Sequence, residues 1–136
     1  YRKITNLPIA CLVSEKSPLT RSGSLTWEDL NGCVCYWPTS LRKSKFTRDI
    51  QSQLREHQVS LTWEWCDSDY YTCRRYLFAG NHLTFTLSPV VEDPALKRCP
   101  LGGLKYPLIV AWNKKSNKQL EPYIDKVVSL ADLFLH

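Results

Sequence analysis

An unbroken apolar run from Cys33 to Trp37 constrains the fold of this chain more than any other feature. Strands that are covered on both faces have this pattern, as in the parallel sheets of α/β proteins. Pro38 cannot donate to a β-ladder, so we expect the strand to end there. Hydroxyls and cations follow over 39–45, and an apolar helical stripe begins at Phe46. The sequence therefore predicts a strand-to-helix loop that is either a ligand cradle or an ordinary connection.

Length and composition describe an ordinary soluble domain. The chain has 136 residues, of which 43% are hydrophobic and 23% charged. These values fit one domain with a sizeable core. No apolar run is long enough for a transmembrane helix, and no signal peptide precedes the first strand. The complete lack of Met indicates a piece of a longer protein.

The net charge of +5 fits an anionic ligand or nucleic acid, or simply a solvated surface. The cations are scattered along the chain, and no zinc-finger or RNA-recognition signature accompanies them. The charge alone therefore assigns no partner.

The six cysteines are interpreted as reduced thiols. Cys11, Cys33 and Cys35 lie in apolar, strand-like runs, where a thiol behaves as a small hydrophobic group. No CxxC pair occurs and the three histidines lie far from any paired cysteine, so we expect no metal site. Unpaired cysteines indicate a reducing, cytoplasmic setting.

Periodicity predicts alternating strands and helices along the chain. Thr26 and Asp29 resemble a capping box, and the alternation over 59–65 is typical of a strand nearer an edge. The predicted strands cover 8–13, 33–37, 59–65, 83–87 and 106–112, with a loop rich in Pro and Gly over 92–104. The predicted helices cover 25–30, about 44 or 46 to 57, 67–79 and about 120–134. This order predicts an α/β fold with a mostly parallel sheet and helices on both faces.

Several stretches in this order resemble one family. They are the apolar run 7–14, Ser17-Pro18-Leu19, Leu25-Thr26-Trp27-Glu28-Asp29-Leu30, Phe78-Ala79-Gly80, and the run 106–111 with the closing helix. Together they resemble the effector-binding domain of LysR-type transcriptional regulators, and the likeness covers nearly the whole chain. Each motif is degenerate alone, so the resemblance rests on their order and spacing.

The resemblance implies a periplasmic-binding-protein-like fold (type II), in which two α/β lobes enclose an effector cleft. Residues 1–136 would form a single truncated effector-binding domain, mainly the second lobe plus the C-terminal helix. The winged helix-turn-helix that binds DNA in such regulators is absent from this chain. The family also implies self-association. The apolar stripe of the last helix and the strand 59–65 are its candidate surfaces, unless both simply cover the sheet.

By position, the resemblance assigns the effector-binding residues to two places. The first is the loop after the strand 33–37 and the start of the next helix: Thr39, Ser40, Lys43, Ser44, Lys45, Phe46 and Thr47. The second is Asp67 and Ser68, which could instead cap the following helix. Phe46 could equally belong to the core. Hydroxyls and cations favour an anionic effector, whereas acids favour an amine or hydroxyl group, so its chemistry stays open.

Catalysis is not indicated by any motif. The sequence contains no GxSxG, HExxH, P-loop or GxGxxG pattern, so we expect no enzyme, no catalytic residues and no cofactor. The predicted function is ligand sensing for a cytoplasmic, DNA-bound regulator, through a small-molecule effector and without membrane contact. The alternative is a lobe of a periplasmic-type solute-binding protein.

Overall fold

The structure is a computed structural model that describes residues 1–21, 23–67, 76–77, 80–91, 93–111 and 121–135. The strands are β1 (Arg2–Ser14), β2 (Val34–Pro38), β3 (Thr62–Cys66), β4 (His82–Thr86) and β5 (Leu96–Val110). The helices are α1 (Lys45–Glu56) and α2 (Glu121–Leu135), with short 3-10 helices η1 (Pro18–Thr20), η2 (Trp27–Leu30) and η3 (Thr39–Leu41). Two compact units result: Pro8–Leu104, and Tyr1–Leu7 with Lys105–His136.

The strands form one mixed sheet in the order β3-β2-β4-β1-β5. Strand β2 is parallel to both β3 and β4, whereas β1 is antiparallel to β4, with Val13 opposite Leu83. The expectation of a mostly parallel sheet is therefore not confirmed, although the α/β class is. A buried strand carries the same continuous apolar run whichever way its neighbour points, so composition did not reveal the direction of β1.

Strand β5 corrects the prediction of a loop over 92–104. It starts at Leu96 and continues without interruption to Val110, within the separately predicted strand 106–112. Its Pro100 and Pro107 are tolerated because β5 lies at an edge of the sheet, where one side of the backbone needs no ladder partner. The prediction of a loop over 92–104 was wrong because it relied on the Pro and Gly residues of this segment.

The core of the unit Pro8–Leu104 lies on both faces of the sheet. Alternate residues of β1 point to opposite sides, as the pleat requires. Ile9, Cys11 and Val13 join the larger cluster, which includes Ile50 and Leu54 of α1. Leu12 joins a smaller cluster with Leu77 and Leu96. This explains why the run 9–13 is apolar without alternation.

Local signals predicted several elements correctly. The Thr26 side chain and the Asp29 carboxylate form a complete capping box at η2, and β3 is an edge strand. Helix α1 begins directly after its N-cap Ser44 and exposes its polar side. The predicted helix 67–79 lies almost wholly outside the described residues. No described helix is long and apolar enough to cross a membrane.

The unit formed by Tyr1–Leu7 and Lys105–His136 contains α2, as predicted for about 120–134. The Arg2 guanidinium pairs with the Asp125 carboxylate. Tyr123, Val127 and Leu130 are 60%, 45% and 55% exposed. Their spacing places them on one side of the helix, so α2 presents an apolar stripe to solvent.

Candidate functional site

The candidate site lies where β2 and β3 end. Because the two strands are parallel and in register, Pro38 is paired with Cys66 at the same edge of the sheet. The chain leaves β2 into η3 and leaves β3 at Asp67. Both predicted groups of site residues therefore start from adjacent strand ends, which is where open α/β sheets bind ligands.

A buried hydrogen-bond network fixes the loop between β2 and α1. The Trp37 indole N–H donates to the Thr47 hydroxyl at 2.8 Å. The hydroxyls of Ser44 and Thr47 lie 2.7 and 2.6 Å from the Leu41 carbonyl oxygen. The Ser44 hydroxyl also accepts the Thr47 backbone N–H at 3.2 Å. Thr47 is fully buried, so it and Ser44 support the loop from inside.

Thr39 and Ser40 differ from Ser44 and Thr47 in exposure and in hydrogen bonding. Both side chains are exposed, directly after the buried Trp37 and Pro38. Neither hydroxyl makes a hydrogen bond within the part of the chain that the structure describes. Only the backbone is used there, as the Arg42 N–H donates to the Thr39 carbonyl oxygen at 3.0 Å. These two hydroxyls are therefore open to a ligand while their backbone is held in place.

The cations of the loop differ in their partners. Lys45 forms an i,i+4 ion pair with Asp49 at 2.9 Å, which occupies its ammonium group. Lys43 is exposed, with no ion pair to any described carboxylate. Arg42 lies over the Trp65 ring, with its guanidinium carbon 4.9 Å from the ring centroid. Sequence reasoning left Arg42 out of the site, because only the β2–β3 register reveals Trp65 as its neighbour.

The remaining predicted site residues also differ in their exposure and in their contacts. Phe46 packs edge-on against Trp37, with ring centroids 5.7 Å apart, and borders the core cluster. This geometry favours the alternative in which Phe46 belongs to the core. Asp67 is exposed at the end of β3, and Ser68 lies outside the described residues. No group of three or more metal-ligating side chains occurs among the described residues.

The structure is a mixed α/β lobe whose exposed hydroxyls and cations lie at strand ends, the position where open α/β sheets bind ligands. More particularly, the fold is that of the regulatory, effector-binding domains of LysR-type regulators. The regulatory domain of CcmR from Synechocystis PCC6803, solved with 2-PG, matches with a TM-score of 0.69 at 12% identity. The match covers 93% of this chain and 65% of the CcmR chain.

Two further structures agree. The BenM effector-binding domain, solved with its effector benzoate, matches with a TM-score of 0.61 at 13% identity, covering 89% of this chain and 62% of that one. Full-length CbnR, solved in complex with its target DNA, matches with a TM-score of 0.61 at 13% identity. This match covers 78% of this chain and 38% of the CbnR chain. The chain thus spans 38% to 65% of the length of these three structures.

No protein-family model and no curated protein matches this chain in sequence. At 12–13% identity the solved structures establish the fold. The fold implied by the sequence resemblance is therefore confirmed. The CcmR and BenM structures are regulatory, effector-binding domains rather than enzymes.

Proposed function

We propose that this chain is the ligand-sensing lobe of a cytoplasmic LysR-type transcriptional regulator. Residues 1–136 would supply most of the second lobe of the effector-binding domain and the C-terminal helix. A small molecule would bind at the carboxyl ends of β2 and β3 and modulate the activity of the DNA-bound parent protein. The chain itself would act as a binding module and catalyse no reaction.

The observation that carries this proposal is the contrast between two pairs of hydroxyls. Those of Ser44 and Thr47 are consumed in the network around the Leu41 carbonyl oxygen. Those of Thr39 and Ser40 face solvent at a strand end without a described partner. Because internal hydrogen bonds already hold this loop in place while its outer hydroxyls stay open, it loses little further conformational entropy when a ligand binds. The CcmR structure contains 2-PG and the BenM structure contains its effector benzoate, which supports a small-molecule ligand for this chain.

The remaining predicted site residues keep different weights in this proposal. Lys43 is placed to add charge beside the two hydroxyls, and Asp67 would contribute from the end of β3. Ser44, Phe46 and Thr47 would act behind the surface, because their polar groups or rings already have partners within the protein. Lys45 is exposed, but its ammonium group is already paired with Asp49. Ser68 stays a prediction from the sequence alone.

The test is a titration of the isotope-labelled chain with a metabolite panel that includes benzoate and 2-PG, followed by backbone amide chemical shifts. This measurement detects weak binding, which suits a single lobe. An effector should shift the amides of Thr39 and Ser40, and the double substitution Thr39→Ala/Ser40→Ala should weaken binding about tenfold. Ser52→Ala, which removes an exposed hydroxyl on α1, is the matched control.

Two results would contradict the proposal. One is a panel that leaves the amides of the β2–α1 loop unmoved. The other is a double variant that binds the effector as well as the unmodified chain. The DNA-binding part has a separate test: a helix-turn-helix domain should be encoded upstream of this chain in its gene.

Self-association of the effector domain is also proposed, through a second copy of this chain. Two surfaces were predicted for it. Trp63 and Trp65 of β3 pack against the core of their own sheet, which favours a covering role for that strand. The exposed stripe of Tyr123, Val127 and Leu130 is the surface that supports the proposal.

A further inference from the structure

The side chain of Arg42 combines a fixed position with a charge that has no ion-pair partner among the described residues. Its guanidinium carbon lies 4.9 Å from the centroid of the Trp65 ring, within the range of a cation–π contact. Its main chain is fixed as well, because the Arg42 N–H donates to the Thr39 carbonyl oxygen at the end of η3. Among the described residues, no carboxylate forms an ion pair with it.

Trp65 is itself held in place. Its ring is stacked on that of Trp63, with centroids 5.2 Å apart and planes 9° from parallel. Residue 65 is paired with Trp37 in the β2–β3 register, and both tryptophans of β3 border the core cluster. The Arg42 guanidinium therefore lies over a ring that is itself held in place by Trp63 and the core cluster.

Stacking occupies the face of a guanidinium and leaves its N–H donors available at the edge. The five donors lie in the plane of the group and match the two oxygens of a carboxylate or phosphate. A lysine on a flexible stem lacks this arrangement. Arg42 is exposed in the same loop as the open hydroxyls of Thr39 and Ser40. Donors and positive charge thus converge, whereas Lys45 is already paired with Asp49.

We propose that the effector is an oxyanion, a carboxylate or a phosphate, which the edge of the Arg42 guanidinium binds while Trp65 holds that group in position. This inference rests on the proposed function and narrows it to a ligand class. Arg42 would contact the ligand directly, and Trp65 would be a positioning residue. Thr39 and Ser40 would then donate to the remaining oxygens.

The test uses the labelled chain 1–136 and four probes at constant ionic strength: benzoate, inorganic phosphate, benzamide and chloride. Benzamide has the shape of benzoate without its charge. We expect benzoate or phosphate to shift the Arg42 side-chain N–H and Trp65 indole N–H signals in a saturable way. Benzamide and chloride should not. A response to benzoate alone would identify a carboxylate site, and one to phosphate alone a phosphate site.

Variants separate recognition from general electrostatics. Arg42→Gln should weaken binding of the responding anion at least about tenfold, and Arg42→Lys should fail to restore it. Trp65→Leu should weaken binding several-fold although its side chain does not touch the anion. Arg21→Gln removes an exposed cation that directly follows η1, outside the β2–α1 loop, and should change nothing. Each variant's thermal unfolding shows that it is folded.

Three outcomes would overturn the inference. These are no saturable shift at Arg42 with either anion, equal binding by Arg42→Gln, or restoration by Arg42→Lys. If a neutral compound from the panel moves Thr39 and Ser40 while the anions do not, the effector site stands and the anion assignment fails. If nothing moves the loop, the proposed function fails together with it.

Discussion

At the scale of single residues, Thr47 couples the core to the candidate site. Its buried hydroxyl accepts the Trp37 indole N–H at 2.8 Å and lies 2.6 Å from the Leu41 carbonyl oxygen. The Ser44 hydroxyl lies 3.0 Å away from it. One oxygen therefore links the end of β2, the loop and the first turn of α1.

Replacing Thr47 with Val keeps the shape of the side chain and removes this oxygen. The buried Trp37 indole N–H would then lose this acceptor, and a lost hydrogen bond at a buried donor costs about 1–3 kcal/mol. We expect the free energy of unfolding in urea to fall by that amount. Thr47→Ser, which keeps the hydroxyl, should lose clearly less. Equal losses for the two variants would show that packing of the methyl group, rather than the hydrogen bond, matters.

The cysteines give a second prediction at this scale. The five described cysteines are thiols rather than disulfides. Burial, and then the neighbouring Cys99 and Cys33, raise the pKa of Cys11 well above its ordinary value. Burial also raises the pKa values of Cys33 and Cys99. Because the thiolate is the reactive form, these three should resist alkylation in the folded protein.

Iodoacetamide at about pH 8 should therefore modify the half-exposed Cys66 well before Cys11, Cys33 or Cys99. Peptide mass spectrometry over a time course measures the order. In urea the differences between these four sites should disappear. Early modification of Cys11 in the folded protein would contradict its burial.

Single residues also show where sequence reasoning ends. It selected seven residues around the β2–α1 loop from hydroxyls, cations and position. It could not tell that the hydroxyls of Ser44 and Thr47 turn inward, since only Trp37 and the Leu41 carbonyl oxygen reveal this. The identity of a polar residue predicts its chemistry, whereas its orientation depends on tertiary contacts.

At the scale of elements, β5 passes close to η2 and α1 at Gly103. This glycine has a φ of +95°, and a Cβ there would lie 3.1 Å from both the Gln53 Oε1 and the Trp27 Nε1 atoms. The neighbouring Gly102 has open space where a Cβ would be. Its carbonyl oxygen accepts the Trp27 indole N–H at 2.9 Å, which any residue could provide.

Gly103→Ala should lower the free energy of unfolding by about 1–2 kcal/mol for the backbone alone, and further if Gln53 cannot move. Gly102→Ala is the matched control and should be nearly neutral, because its Cβ meets nothing within 4 Å. Urea unfolding of both variants measures the difference. Equal effects would mean that the positive φ and the close approach are unimportant.

A second link between elements involves a titratable pair. The His57 Nδ1 atom, at the end of α1, lies 2.8 Å from the Glu28 Oε1 atom of η2. The hydrogen bond from His57 is the main reason that the pKa of Glu28 is lowered. A carboxyl group whose pKa is lowered in the folded protein stabilises the fold at pH values above its pKa in the unfolded chain, about 4.3. This contribution is lost as the pH falls through the pKa of the folded protein.

Glu28→Gln should therefore unfold at a slightly lower temperature than the unmodified chain near neutral pH. The gap should close as the pH falls from about 5 to about 3. Thermal unfolding across this pH range measures it, with Glu15→Gln, an exposed carboxylate of the turn after β1, as the control. A gap that stays constant with pH would show that the Glu28 charge has no part in this link.

At the scale of the whole molecule, local patterns predicted which segments are strands, whereas the direction of pairing depended on contacts between distant segments. The run 9–13 is apolar because both faces of β1 are covered, and this holds for a parallel or an antiparallel neighbour. The same limit applied to the site. Arg42 and Trp65 are neighbours because β2 and β3 pair in register, which no short motif records.

The exposed stripe of α2 leads to a prediction about the assembly of whole chains. Tyr123, Val127 and Leu130 are each at least 45% exposed on one side of the helix. Covering such a stripe against a second copy removes apolar surface from water, at roughly 25 cal/mol per Å². The average mass in sedimentation equilibrium should therefore rise with protein concentration.

Val127→Lys combined with Leu130→Lys should keep the chain monomeric, because charges cannot be buried without partners. Ser129→Gln, which changes an exposed residue on another side of the helix, should associate like the unmodified chain. If the double lysine variant still associates, the copies meet elsewhere.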